Sequence, residues 1–118
     1  MIPIDINQFA NEWIASWNSH NIDDILSHYS DNFEITTPMI KTLLNIDSGT
    51  LKGKENVKEY WISALKKVPD LNFELLDITK SVNSVALYYK SVLNKNAIEV
   101  MFFDDNGKIN KIIAHYTN

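Results

Sequence analysis

The chain of 118 residues contains no cysteine, which excludes disulfides, thiol nucleophiles and cysteine-ligated zinc. Glycine and proline are scarce, with three of each, and neither a glycine-rich phosphate loop nor a Gly-x-Ser-x-Gly nucleophile elbow is present. The three histidines form no pair at metal-ligand spacing, and the acidic residues form no calcium loop. We therefore expect neither a metal nor a cofactor.

Long hydrophobic runs are also missing, since no apolar stretch approaches the ~18 residues of a membrane span. Residues 1–5 lack the basic and apolar regions of a secretory signal. The 11 Lys and Arg are scattered and are outnumbered by 15 Asp and Glu, whereas a nucleic-acid surface needs a concentrated basic patch. We expect no nucleic-acid or membrane partner. A cytoplasmic location is the default expectation, and a cysteine-free chain also suits the periplasm.

What the chain does contain is typical of a globular protein. Hydrophobic residues make up 45% and charged residues 22%. A chain of this length can bury one core but not two, and it shows no repeats, linkers or low-complexity stretches. We therefore predict a single domain over residues 1–118.

The N-terminal part has helical periodicity. Asp5 and Gln8 have capping-box spacing, and the apolar residues that follow recur at intervals of three and four. This pattern predicts a helix that ends near His20. Asn21 is a suitable N-cap for a second, short helix.

A short strand and a third helix follow. Residues 33–37 predict a strand that stops at Pro38, because proline cannot donate to a sheet ladder. Residues 39–52 show no period and are predicted to form a long loop that could act as a lid. The third helix is predicted to start around Lys54 and to end at Pro69.

The last part alternates with the period of β-strands. The Asn106-Gly107 pair between two apolar runs is a strong hairpin signal. Four consecutive strands are predicted, over residues 71–82, 85–93, 97–104 and 109–117. The order helix, helix, strand, helix and four-strand meander predicts an α+β fold, with three helices packed into a curved, mainly antiparallel sheet.

Glu99 is the most unusual residue of the sequence, because it lies in the most apolar predicted strand, residues 97–103. Burial of an unpaired carboxylate costs several kcal/mol or forces it to take up a proton. Glu99 therefore lies either at a solvated surface, where Lys90 of the preceding strand would pair with it, or in an interior cavity. The cavity interpretation predicts a pKa above the usual value of about 4.3.

The strand register favours the cavity. If Asn106-Gly107 is a two-residue turn, Glu99 lies opposite Ala114, and Phe103 lies opposite Asn110. Alanine leaves room beside the carboxylate. His115 falls on the other face, so that a His–Glu dyad is not expected. One sheet face then carries Glu99, Met101, Ile112, Ala114 and Tyr116.

The other sheet face carries Ile98, Val100, Phe102 and Ile113, and it is too apolar to be left to water. We expect a homodimer that covers this outer face. Further hydrophobic candidates for cavity lining also fit ordinary core packing, although a buried indole N–H needs a partner. These candidates are Trp13, Trp17, Tyr29, Ile35, Met39, Tyr60, Trp61, Met101 and Phe103.

Four segments carry recognisable motifs. Residues 9–23 contain an aromatic helix followed by an N-x-x-D-hydrophobic turn, and residues 28–33 lead into the first strand. Residues 51–57 are similar to x-x-G-x-x-x-I, with Val57 at the last position, and residues 103–109 match F-D-x-x-G-K-I. In this order the segments resemble the nuclear-transport-factor-2-like superfamily, including its SnoaL-like polyketide cyclase and ketosteroid isomerase branches.

The resemblance implies a cone-shaped roll with an apolar cavity at its wide end. In the isomerase branch a tyrosine and an acid hold the enolate, a second aromatic hydroxyl supports that tyrosine, and an aspartate before a proline moves the proton. The tyrosine and supporting positions fall here on Trp13 and Trp61, and the acid falls on Glu99. The base position falls on Thr37, which cannot act as a general base near neutral pH. Ketosteroid isomerase activity is therefore not expected.

The sequence thus predicts a domain that binds a small apolar molecule. Glu99 is the candidate catalytic residue for proton transfer of the isomerase, cyclase or dehydratase type, and Thr37 would orient the substrate. Trp13 or Trp61 would donate a hydrogen bond. The alternatives are a non-catalytic ligand-binding module and a module for dimerisation or protein interaction, because the scaffold hosts all of these functions.

Overall fold

The computed structural model describes residues 2–3 and 5–117, and in these residues four helices pack against a curved, unclosed six-stranded sheet. The predicted α+β class is confirmed. The strand order is β2-β1-β6-β5-β4-β3, with β1 parallel to β6 and every other pair antiparallel. The elements are α1 Ile6–Ser19, α2 Ile22–Leu26, β1 Tyr29–Thr36, α3 Pro38–Leu44, β2 Thr50–Lys52, α4 Lys54–Lys67, β3 Glu74–Lys80, β4 Ser84–Lys90, β5 Asn96–Phe103 and β6 Ile109–Tyr116.

The first two helices begin and end where their capping residues predict. The Gln8 backbone N–H donates to the Asp5 carboxylate over 3.0 Å, and α1 ends at His20 in the left-handed conformation with φ 61°. The Asn21 side chain accepts from the first N–H groups of α2. No helix in the described residues is long and apolar enough to cross a membrane.

The prediction of a loop over residues 39–52 is wrong. Helix α3 starts at Pro38, because proline suits the first turn of a helix as well as the end of a strand. The Thr37 hydroxyl caps this helix by accepting from the Met39 N–H at 3.2 Å. Strand β2 then pairs with β1, and its three residues are too few to show a period of two.

The predicted register of β5 and β6 is confirmed around the centre of the pair. Glu99 faces Ala114, and Met101 faces Ile112. The prediction fails at the end of the hairpin, where Phe103 pairs with Ile109 instead of Asn110 because a bulge follows Phe102.

The bulge comes from the turn chemistry of Asp104. Its carboxylate accepts the N–H groups of Asn106 and Lys108, both at 2.9 Å, and its carbonyl accepts the N–H of Gly107. Gly107 is in the left-handed region with φ 76°. The connection is therefore longer than the predicted two-residue turn, and the strand partner shifts by one residue.

The core lies between the concave sheet face and helices α1 and α4. Aromatic rings dominate it: Trp13 stacks on Phe73 at 5.9 Å between centroids, and Trp17 meets Trp61 edge-on at 4.9 Å. The Asn18 side chain fixes the segment before β3, donating to the Phe73 carbonyl at 3.0 Å and accepting its N–H at 2.6 Å. These contacts hold α1 against the far end of the sheet.

Candidate functional site

A cavity of about 320 Å³ lies between the concave face of the sheet and helices α1, α3 and α4. Its mouth is formed by the exposed side chains of Leu43, Lys67 and Leu93. Most of its walls are apolar or aromatic, which is the usual character of a small-molecule site. The lining residues are Trp13, Trp17, Ile35, Thr37, Met39, Leu43, Tyr60, Trp61, Ala64, Lys67, Val68, Leu71, Phe73, Tyr89, Ser91, Val92, Leu93, Glu99 and Tyr116.

Glu99 lies at the cavity wall and is only 5% exposed. The Tyr89 hydroxyl donates a hydrogen bond to Glu99 Oε1 over 2.8 Å. Burial raises the pKa of Glu99 to about 7, although the Tyr89 hydrogen bond acts in the opposite direction. The interior position is thus confirmed and the surface alternative is wrong: Lys90 pairs with Asn96 across the strands and lies 3.7 Å from the Glu74 carboxylate.

The other polar groups of the cavity include two further phenols, those of Tyr60 and Tyr116. Burial, and then the charge of Glu99, raises the pKa of Tyr60 to about 12. Burial also raises the pKa of Tyr116, with further increases from Glu99 and Tyr60 and a smaller opposing effect of a Thr37 hydrogen bond. Both hydroxyls therefore stay protonated at neutral pH and can donate hydrogen bonds.

Among the described residues of the site, Glu99 has no acidic or histidine partner. Among the described lining residues it is the only carboxylate, and none is a histidine. The described residues also contain no cluster of His, Cys, Asp and Glu that could hold a metal ion. The arrangement can therefore exchange a proton at one carboxyl group and donate hydrogen bonds from tyrosine hydroxyls.

Of the two predicted indole donors, Trp13 is engaged within the protein. The Trp13 N–H donates to the Tyr29 hydroxyl at 2.8 Å, so that it is already used within the protein. Burial, and then the charge of Glu99, raises the pKa of Tyr29. The nearby Trp17 N–H acts in the opposite direction and lowers the pKa of Tyr29. This N–H has no hydrogen-bond partner in the described part of the chain.

The structure brings most of the predicted site residues together. The cavity is lined by Glu99 and by Trp13, Trp17, Ile35, Thr37, Met39, Tyr60, Trp61 and Tyr116. The remaining predicted residues are buried in the core but do not line the cavity, because helices and neighbouring strands cover them; Phe103, for example, packs on Phe9 at 5.2 Å between centroids. These residues are Tyr29, Met101, Phe103, Ile112 and Ala114.

Tyr89, the direct partner of Glu99, is not among the site residues predicted from the sequence. The alternation of β4 could have placed it, because Val85, Leu87 and Tyr89 all point inward and Leu87 faces Glu99 across the strands. That inference needs the length of the β4–β5 turn, which the sequence leaves open. The other missed lining residues lie at the end of α3, in the second half of α4 and in loops, and the sequence pattern did not show that they face the cavity: Leu43, Ala64, Lys67, Val68, Leu71, Phe73, Ser91, Val92 and Leu93.

Comparison with known proteins gives consistent matches. A family model described as the SnoaL-like domain matches residues 10–112. A SnoaL-like protein of unknown function from Burkholderia thailandensis is 44% identical, with a TM-score of 0.93 over 95% of this chain and 93% of that protein. A search among curated proteins finds no match.

Two more distant structures share the fold. An NTF2-like protein of unknown function from Cytophaga hutchinsonii is 17% identical, with a TM-score of 0.74 over 98% of this chain and 92% of that one. SalBIII, an epoxide hydrolase/cyclase-like enzyme with a role in pyran ring formation in the polyether salinomycin, is 18% identical, with a TM-score of 0.74 over 94% and 89%. At these identities the likeness extends to the fold alone.

Proposed function

The chain belongs to the SnoaL-like domain family, and we propose that its cavity binds a small, mainly apolar carbonyl compound with which Glu99 exchanges a proton. The observation that carries the proposal is the buried carboxyl group of Glu99, held by Tyr89 at 2.8 Å in an otherwise apolar cavity. A carboxyl with a pKa of about 7 is populated in both protonation states near neutral pH. It can therefore act as acid and as base.

The proposed chemistry follows from these groups. In its acid form, Glu99 donates its proton to a carbonyl oxygen of the ligand. In its base form, the carboxylate takes a proton from the carbon next to the carbonyl and returns it to another carbon of the same molecule. The hydroxyls of Tyr60 and Tyr116 are neutral donors that can stabilise the enolate oxygen formed between these steps.

The reaction class is isomerisation, cyclisation or dehydration, in which protons move without a net transfer of electrons to or from the ligand. The fold supports this class, since SalBIII, with a role in pyran ring formation, is built on it. Ketosteroid isomerisation with a separate general base is not proposed, because Thr37 stands before Pro38 and its hydroxyl serves as the N-cap of α3.

Carriage of the ligand without turnover is the second candidate. The observation that favours it is the absence of a second carboxylate or a histidine among the described residues that line the cavity. A protein-interaction module would have its cavity filled by aromatic side chains, and about 320 Å³ of open space argues against that alternative.

Ligand binding can be tested by its pH dependence. We expect carbonyl compounds to bind wild-type protein more weakly as pH rises through about 7, because Glu99 then loses the proton that it donates. Glu99→Gln keeps a neutral donor and should bind with little change across this range. Titrations at several pH values with a ketone and with its hydrocarbon analogue make the measurement. A ketone affinity that is the same in wild type at every pH would contradict the role of Glu99.

Turnover and carriage are separated by hydrogen exchange. In D2O, NMR of a bound ketone should show exchange of the protons next to the carbonyl with wild-type protein, and Glu99→Gln should abolish that exchange while it still binds. Binding by wild type without accelerated exchange would favour the carrier. If no member of a ketone panel shifts the melting temperature of wild type, the proposal of a carbonyl ligand is wrong.

A further inference from the structure

A second concavity, of about 300 Å³, lies on the outside of the fold between helix α3, strand β2 and helix α4. We call it the outer groove. Leu44 and Leu51 form apolar parts of its wall, and Asn56, Glu59 and Ser63 supply polar atoms. Its chemistry is therefore that of a groove for an amphipathic or mainly apolar molecule.

The outer groove adjoins the cavity that contains Glu99. Four residues line both spaces, namely Leu43, Tyr60, Ala64 and Lys67. Leu43 and Lys67 are also at the mouth of the cavity. A molecule that leaves the cavity through this mouth therefore meets the outer groove next.

Helix α3 presents apolar side chains to water at this place. Leu43 is 54% exposed and Leu44 is 44% exposed, and they are neighbours on one short helix. Single exposed leucines need no explanation, but two adjacent ones beside an open groove form a surface that gains free energy when a ligand covers it.

From this adjacency we propose that the outer groove binds the outer part of an elongated ligand whose inner part occupies the cavity. The inference rests on the proposed function and extends it to a substrate class: a chain-like, mainly apolar carbonyl compound that is longer than the cavity. The carbonyl end meets Glu99, and the chain passes between Leu43 and Lys67 to lie against Leu44.

Methyl ketones with alkyl chains from pentyl to pentadecyl test this arrangement. All three tryptophans of the chain line the cavity, so that intrinsic fluorescence reports ketone binding. Each additional methylene group tightens binding about fourfold when it enters a closed apolar site and about twofold when it enters a half-open groove. We expect the dissociation constant for wild type to fall along the whole series.

The matched variants are Ser63→Phe, which fills the groove from the exposed side of α4, and Lys66→Phe, which adds the same side chain outside the groove. Short ketones should bind both variants and wild type equally. Long ketones should bind Ser63→Phe at least tenfold more weakly than Lys66→Phe, and Leu44→Ser should show a smaller loss of the same kind.

Two results would overturn the inference and are distinguishable. Equal affinity of Ser63→Phe and Lys66→Phe for every chain length, with normal binding of the short ketones, would refute the groove and leave the proposed function intact. Failure of every ketone to bind wild type would refute the proposed function and the groove together.

Discussion

At the scale of single residues, the carboxyl group of Glu99 is buried without a cationic partner in the described part of the chain. Within the described residues its one hydrogen bond comes from Tyr89, so its charged form is poorly compensated. Natural proteins retain such groups at functional sites, where a perturbed pKa is useful. The same feature makes the stability of the protein depend on pH.

The first prediction concerns that dependence. The pKa of Glu99 is about 7 in the folded protein and 4.5 for the free side chain. Between these values the folded state holds a proton that the unfolded state has released, so stability falls as pH rises through this window, by about 3 kcal/mol in total. Glu99→Gln should lack this loss. Urea unfolding of both proteins at several pH values measures the free energy of unfolding. A difference between wild type and variant that does not change with pH would contradict the prediction.

The second prediction concerns Tyr89. Its hydrogen bond favours the charged form of Glu99, so Tyr89→Phe should raise the pKa of Glu99 further, by about one unit. Tyr116→Phe is the matched control, because the Tyr116 hydroxyl does not bond to Glu99 and its loss should leave that pKa unchanged. Carbon-13 NMR of the Glu99 carboxyl gives the measurement. Equal pKa values in wild type and Tyr89→Phe would show that the hydrogen bond is unimportant.

The two residues also show how far the sequence determines the site. Glu99 could be located because it interrupts an apolar strand and because a single turn fixes its neighbours. Tyr89 could not, since its relation to Glu99 depends on the turn over residues 91–95, in which Leu93 and Asn94 both adopt positive φ. The residue types of this turn do not predict positive φ at two consecutive positions, because leucine rarely adopts the left-handed conformation.

At the scale of elements, the connection between β1 and β2 holds helix α3 over the cavity. The Thr37 N–H donates to the Gly49 carbonyl at 2.9 Å, just before α3 begins. Gly49 has φ 66°, and a Cβ there would lie 2.9 Å from the Thr37 carbonyl oxygen. Glycine is thus required at this position both for its backbone conformation and for space.

The third prediction compares two glycines. Gly49→Ala should destabilise the protein by about 3 kcal/mol, since it adds a steric clash to the strain of a left-handed alanine. Gly107→Ala is the matched control, with φ 76° and no atom near its Cβ, and should cost about 1 kcal/mol. Chemical denaturation of both variants measures the difference. Equal losses would show that the Gly49–Thr37 contact relaxes freely.

Elements differed in how well the sequence predicted them. The long amphipathic helices and the four-strand meander carry several periods each, and their existence and order were predicted. Helix α3 has seven residues and β2 has three, so neither shows a full pattern. Helix α3 depends on the local Thr37 cap and β2 depends on its pairing with β1, and periodicity contains neither signal.

At the scale of the whole molecule, the convex side of the sheet remains apolar. Ile98 is 44% exposed at its centre, with Val100, Phe102 and Ile113 half-buried around it. Lys111 lies over the Phe102 ring at 5.8 Å and covers part of this side with its aliphatic stem. We propose that a second copy of the chain covers the rest.

The fourth prediction is therefore a homodimer through the convex sheet face. Wild type should sediment as a dimer at micromolar concentration, and Ile98→Glu should sediment as a monomer, because a carboxylate would be buried in the interface. Val82→Glu, at a residue that is 93% exposed in a turn, is the control and should remain dimeric. A monomeric wild type, or an Ile98→Glu dimer of unchanged affinity, would refute this interface.

The parallel pairing of β1 with β6 sets the order in which the protein can fold during its synthesis. In the sheet of the described residues, β6 is the strand that connects β1 and β2 to the other strands. The β6 side of β1 is therefore unpaired until residues 109–116 have left the ribosome. The cavity takes Ile35 from β1 and Glu99 from β5, so it cannot form on a shorter nascent chain. Such a chain exposes apolar surface to chaperones and proteases until its last strand arrives.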